Sequence, residues 1–154
     1  METLIDRQIA DASMPRLALI AHDACKADLT DWVAYNRETL SRCELLATGT
    51  TGAQIARATG LPIQLLLSGA FGGDAQVGAL LAERRLECVI FFWDPLTTQP
   101  HDVDVKAVLR LAVLHNVPIA CNRTTADFLI SSPLFFDASH LHQRRSAVGK
   151  DGYA

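Results

Sequence analysis

Leu17-Ala18-Leu19-Ile20-Ala21, followed at once by His22-Asp23, sets the pattern of the whole chain. The run is apolar throughout rather than alternating, which suits a strand covered on both faces. The same phrase returns four times. Cys43 to Ala47 leads into Thr48-Gly49-Thr50-Thr51-Gly52, and Ile63 to Leu67 into Ser68-Gly69-Ala70-Phe71-Gly72-Gly73-Asp74. Cys88 to Trp93 ends in Asp94-Pro95, and Val117 to Ala120 in Cys121-Asn122. Helical stretches are predicted between the runs. The first spans about Cys25 to Leu40, with Leu29, Trp32, Val33 and Leu40 at helical spacing and Asp28, Asp31 and Arg37 facing water. Others cover Ala53 to Thr59 (closed by Gly60), Ala75 to Arg85, the stretch from the Pro100-His101-Asp102 loop to His115, and Thr124 to Ile130. Strands alternating with helices imply right-handed crossovers. The expected fold is α/β, a doubly wound parallel sheet of about five strands in a three-layer α/β/α sandwich.

The 154 residues fit one domain, with residues 1–15 as a polar lead-in and 134–154 as an irregular tail. A hydrophobic content of 49% against 20% charged residues supplies a core and argues against disorder. The formal charge of −3 gives no global field for nucleic acid, although a local donor cluster could still bind a small phosphorylated molecule. No stretch approaches the roughly 18 consecutive apolar residues of a membrane span. Leu17 to Ala21 is too short for the core of a secretory signal. Cys25, Cys43, Cys88 and Cys121 are widely spaced and form no CxxC pair. A reduced, cytoplasmic setting is expected, without disulfides or a cysteine metal site.

In an open α/β sheet, ligands bind beyond the carboxyl ends of the strands, where every run here ends in a polar or glycine-rich cluster. Thr48-Gly49-Thr50-Thr51-Gly52 offers hydroxyls, backbone N–H groups and a helix N-terminus to a phosphate dianion, or serves only as a threonine-capped turn. Ser68-Gly69 is a second donor pair. Asp74 is either an N-cap or a functional carboxylate among glycines that let a substrate approach the backbone. Lys26 could neutralise phosphate or simply be solvated. His22-Asp23, Asp94 and His101-Asp102 with Asp104 bring imidazoles and carboxylates to one edge, as acid–base work requires. His and Asp are also metal ligands, but no HxH or HExxH spacing supports that reading. Neither GxxxxGK[ST] nor GxGxxG occurs, which disfavours the corresponding nucleotide loops.

Five segments in order, Ala21-His22-Asp23-Ala24-Cys25-Lys26, Ala47 to Gly52, Ser68 to Asp74, Phe91 to Pro95 and Pro100-His101-Asp102, resemble the methylglyoxal synthase family from about Arg16 to Pro133. The resemblance implies a cytoplasmic lyase that converts dihydroxyacetone phosphate to methylglyoxal and inorganic phosphate, a glycolytic bypass, without metal or organic cofactor. It implies that Asp74 is the general base and that His101 polarises the carbonyl and moves protons between the enediol oxygens. His22, Asp23, Asp94 and Asp104 match supporting residues. Lys26, Thr48, Gly49, Thr50, Thr51, Ser68 and Gly69 match the phosphate-binding set, to which His22 and His101 also contribute. The family is typically homohexameric and often inhibited allosterically by phosphate, and Arg110 resembles a subunit-contact arginine. Two features depart from the family. Ala70-Phe71 replaces the common Pro-Met, and the C-terminal segment does not match, so no interfacial role passes to Arg144 or Arg145.

Two other readings compete with an enzyme. A regulatory module of the same fold would bind a small effector without turnover. A receiver or flavodoxin-like protein would use an acidic pocket or a flavin loop, which leaves the two histidine clusters without a place.

Overall fold

The computed structural model describes residues 14–137 together with 139 and 140. Its strands are β1 (Arg16–Ala21), β2 (Glu44–Thr48), β3 (Ile63–Leu66), β4 (Cys88–Phe92) and β5 (Ile119–Ala120). Its helices are α1 (Lys26–Tyr35), α2 (Arg37–Leu40), α3 (Gly49–Thr59), α4 (Gly73–Ala82), α5 (Asp102–Leu114) and α6 (Arg123–Ser131). All strand pairings are parallel, in the order β3-β2-β1-β4-β5. The chain builds outward from β1 in one direction, then returns to pair β4 on its other side. This reversal at β1 and β4 is the topological switch point of a doubly wound sheet.

The unbroken apolar runs are explained by two cores. Leu17, Leu19, Leu45, Ala47 and Ile90 face Leu29 and Trp32 of α1, Ile55 of α3 and Ile130 of α6. The intervening residues Ala18, Ile20, Leu46, Val89 and Phe91 face Val77 and Leu81 of α4 and Val105 and Val108 of α5. Alternate side chains therefore enter opposite layers, and both layers are apolar. Fully burying one such side chain contributes about 1.5–3 kcal/mol. The central strands, buried on both faces, hold the carboxyl-end loops in fixed positions.

Several boundaries differ from expectation. β3 is an edge strand, and Leu65 and Leu67 remain 54% and 52% exposed despite the apolar run. In the fifth run only Ile119 and Ala120 pair as strand, while Pro118, which has no N–H, contributes its carbonyl to Val89. The first predicted helix divides at Asn36, whose side-chain Nδ2 donates to the Trp32 carbonyl and competes with the helical backbone. Arg37 is exposed as expected, and its Nε also donates to the Thr59 carbonyl at the end of α3. Helix α3 starts at Gly49, four residues before Ala53, because glycines are inexpensive in a first turn whose N–H groups lack helical partners anyway. A Cβ at Gly52 would lie 2.5 Å from Leu65 Cδ2, so that half-exposed side chain would have to shift to admit one. Phe135, within the stretch read as tail, is buried in the first core, and Arg42 stacks over Phe136.

Candidate active site

The loops after β1, β2, β3 and β4 enclose a cleft of about 270 Å³ at the carboxyl edge of the sheet. It gathers His22, Asp23, Lys26, Thr48, Thr50, Thr51, Ser68, Gly69, Asp74 and His101 from four separate stretches of sequence.

One wall consists of donors. Lys26 opens α1, and its Nζ lies 2.7 Å from Thr50 Oγ1 and 2.7 Å from Asp23 Oδ1. The ammonium holds the Asp23 carboxyl below the ordinary aspartate range. Thr50 and Thr51 stand on the first turn of α3, where the helix dipole favours an anion. Thr48 is the N-cap residue of α3 but makes no side-chain cap hydrogen bond. Gly49 is not in the cleft wall. Its N–H donates to the Leu67 carbonyl and joins the end of the third strand run to the start of α3.

The opposite side is an acid–base centre. Gly72, at φ +104°, is the N-cap of α4, and Asp74 lies inside the helix, so Asp74 is not the cap. Its side chain is 3% exposed and its Oδ2 lies 3.7 Å from His101 Nε2. Burial raises the Asp74 carboxyl above the usual range, against the lowering pull of His101 and then His22. Asp74 Oδ1, His101 Nδ1 and His22 Nε2 are buried without a hydrogen-bond partner. Buried polar atoms are normally paired, so three such atoms around one cleft mark a site prepared for a ligand. Burial also lowers the His22 imidazole, outweighing the opposing pull of Asp74.

The glycines here answer to distance. A Cβ on Gly69 would lie 3.1 Å from His101 Nε2 and 3.4 Å from Asp74 Oδ2, in the space where a reacting atom would sit. A Cβ on Gly73 would meet the Leu67 carbonyl oxygen at 1.9 Å, so no other residue fits this backbone. Residues Gly69–Phe71 form a 3-10 turn closed by Phe71 and Gly73 N–H groups on the Ser68 carbonyl. Ala70 lines the cleft, whereas Phe71 is 79% exposed and turned out of it.

The remaining candidates lie outside the walls of this cleft. Asp94 meets His22 through its backbone, with Asp94 N donating to His22 Nδ1 at 3.0 Å. Asp104 acts on Asp74 at a distance, its charge opposing ionisation of that carboxyl. Arg110 is exposed on α5, and Arg144 and Arg145 are outside the described residues. Gln99 does line the cleft and was not anticipated; nothing in its spacing distinguishes it from other loop amides. Among the described residues, no three His, Cys, Asp or Glu side chains are arranged to hold a metal ion.

Residues 28–121 match the MGS-like domain family. Over 129 residues the chain is 57% identical to the methylglyoxal synthase of Leptospira interrogans, covering 84% of this chain and 87% of that protein. The chain belongs to the methylglyoxal synthase family. Its activity is that of a methylglyoxal synthase, a lyase. The enzyme of Erwinia tasmaniensis is 60% identical over 119 residues, covering 77% of this chain and 78% of that one. The crystal structure of methylglyoxal synthase from Elizabethkingia anophelis superposes with a TM-score of 0.76 at 47% identity, covering 80% of this chain and 81% of the other. The expected α/β fold with a five-stranded parallel sheet agrees with that structure.

Proposed function

We propose that this cleft binds dihydroxyacetone phosphate and eliminates phosphate from it, with Asp74 as the base. The observation that carries the reading is the buried Asp74 carboxylate, 3.7 Å from His101 Nε2 and opposite a wall of phosphate donors. Asp74 removes a proton from the carbon bearing the free hydroxyl, and His101 stabilises the charge developing on the carbonyl oxygen. His101 then moves the hydroxyl proton of the enediol to the former carbonyl oxygen. The electron pair left behind forms the aldehyde, the double bond shifts, and the C–O bond to phosphate breaks with its electrons on phosphate. The enol released becomes methylglyoxal by losing its hydroxyl proton and gaining a proton at its terminal carbon.

Expulsion needs the breaking C–O bond parallel to the enediolate π orbitals. Lys26, Thr48, Thr50, Thr51, Ser68 and Gly69 serve to hold the phosphate in that attitude and to receive it as a leaving group. Asp23 sets the position of Lys26 through their ion pair. Asp104 helps to tune Asp74 by its charge. The chemistry assigned to these side chains calls for no cofactor.

The finer expectations rest on the family. Assembly as a homohexamer and inhibition by inorganic phosphate follow the resemblance; exposed Leu96, Val103 and Val113 suit surfaces that other subunits would cover. A cytoplasmic location accords with the free thiols of Cys25, Cys43 and Cys121. Among the described residues no helix is long and apolar enough to cross a membrane.

The test is incubation of the purified chain with dihydroxyacetone phosphate and a chelator, following inorganic phosphate and a dicarbonyl product. Both are expected to form together, and Asp74→Asn is expected to lose about 10³-fold in turnover, within the range of a missing general base. Near-normal turnover in Asp74→Asn would remove it from the base role, and no phosphate release would favour a binding module. Release abolished by the chelator would revive a metal reading.

A further inference from the structure

Asp94 matches the family as a carboxylate supporting the catalytic pair, yet its carboxylate is not in the walls of the cleft. What bonds to the site is its main chain, while the carboxylate acts on the His22 ring only through its charge. The Asp94 N–H donates to His22 Nδ1 at 3.0 Å. A backbone N–H can only donate, so the ring nitrogen facing it must present a lone pair. A neutral imidazole then carries its single proton on Nε2. That Nε2 is buried and without a partner, on a residue lining the cleft. The ring is held in this attitude by Phe91, edge-on at 5.1 Å between centroids, and by the His22 N–H on the Phe92 carbonyl.

The carboxylate of Asp94 has a local task. Its Oδ1 accepts the Leu96 N–H at 3.0 Å, two residues on, which is an Asx turn. Pro95 between them fixes its own φ and has no N–H to offer. The carboxylate therefore sets the shape of the turn, and the turn sets the direction of the Asp94 N–H.

We propose that Asp94 is a positioning residue: by accepting the Leu96 N–H it aims its own N–H at His22 Nδ1 and locks His22 as the Nε2–H tautomer, a donor to a substrate oxygen. His22 is thereby excluded from taking a proton at Nε2, and the acid–base work falls to Asp74 and His101. The assignment rests on the reading that substrate enters this cleft, but its structural half can be measured without substrate.

An Asx turn needs only a carbonyl-type oxygen, which asparagine also supplies. Asp94→Asn is expected to keep kcat within about threefold of the parent, whereas Asp94→Ala loses roughly 10–100-fold, as for other partners that orient functional side chains. Nitrogen-15 spectra of the histidine-labelled parent protein, assigned with His22→Gln, are expected to show His22 with a bare Nδ1 and a protonated Nε2 at neutral pH. The same state should persist in Asp94→Asn and give way to a tautomer mixture in Asp94→Ala. A protonated Nδ1 in the parent overturns the proposal, as does a loss in Asp94→Asn as deep as in Asp94→Ala. Should Asp94→Ala not fold, the parent spectrum and the asparagine variant decide the matter. The spectrum is read without turnover, so failure of the proposed reaction and failure of this tautomer lock remain distinguishable.

Discussion

Lys26 and Asp74 line the same cleft under opposite conditions. Lys26 is satisfied before any substrate arrives, bonded to Asp23 and Thr50, and its ion pair is open to solvent on the Asp23 side. Asp74 is 2% exposed, has one oxygen without a partner and is harder to ionise than an ordinary aspartate. Lys26, Thr50 and Asp23 thus satisfy one another in the folded chain, so keeping this ammonium ready costs little stability. The acid–base side retains desolvated, unpaired atoms whose cost is recovered only when a substrate supplies the missing partners.

This contrast can be broken most severely at His101. His101→Asn keeps a polar group but removes the proton carrier, and turnover is expected to fall about 10²–10⁴-fold with modest change in KM, read by steady-state kinetics on dihydroxyacetone phosphate. Lys26→Ala acts on the satisfied side, where the expected change is a KM raised roughly 10–100-fold, the equivalent of one charged hydrogen bond, with kcat nearly retained. A fall confined to kcat would show that Lys26 is more than a binding group.

The smallest effect sharpens the comparison through stability. Because the folded-state pKa of Asp74 is raised, the folded chain binds its proton more tightly than the unfolded chain does, and ionisation opposes folding. That cost is absent below the ordinary aspartate value of about 3.9, where both states are protonated. It grows as pH rises through the raised folded pKa and is complete above it. Asp74→Asn should therefore raise Tm at neutral pH by roughly 2–4 °C for each kcal/mol relieved, with the gain shrinking toward acid in calorimetry at a series of pH values. A gain independent of pH would assign the effect to packing instead.

The sequence made the central strands plain because β1, β2 and β4 are buried on both faces, and their unbroken apolar runs record it. It misled at β3, where Leu65 and Leu67 continue the pattern on an edge that leaves them exposed. Composition cannot distinguish a second covering layer from its absence. The acid–base residues were legible as side chains converging at one sheet edge. The role of Asp94 was not, since the contact that matters is made by a backbone N–H common to nearly every residue. Nor was the helical position of Asp74. The helix predicted from about Ala75 already begins at Gly73. At the Ala70-Phe71 departure, the 3-10 turn is closed by backbone bonds and Phe71 is exposed.

The strand order β3-β2-β1-β4-β5 also dictates a schedule for the growing chain. Synthesis runs from the N-terminus, so the chain supplies these elements one after another, although a domain folds as a unit. By Gly69 the chain has supplied Lys26, Thr48, Thr50, Thr51 and Ser68 of the cleft, and by Asp74 its buried carboxylate. His101 follows only after β4, the strand that must pair with β1 on the side opposite β2. Asp74 and His101 thus stand on opposite sides of β4 in chain order, and their pair forms only once β4 has docked against β1.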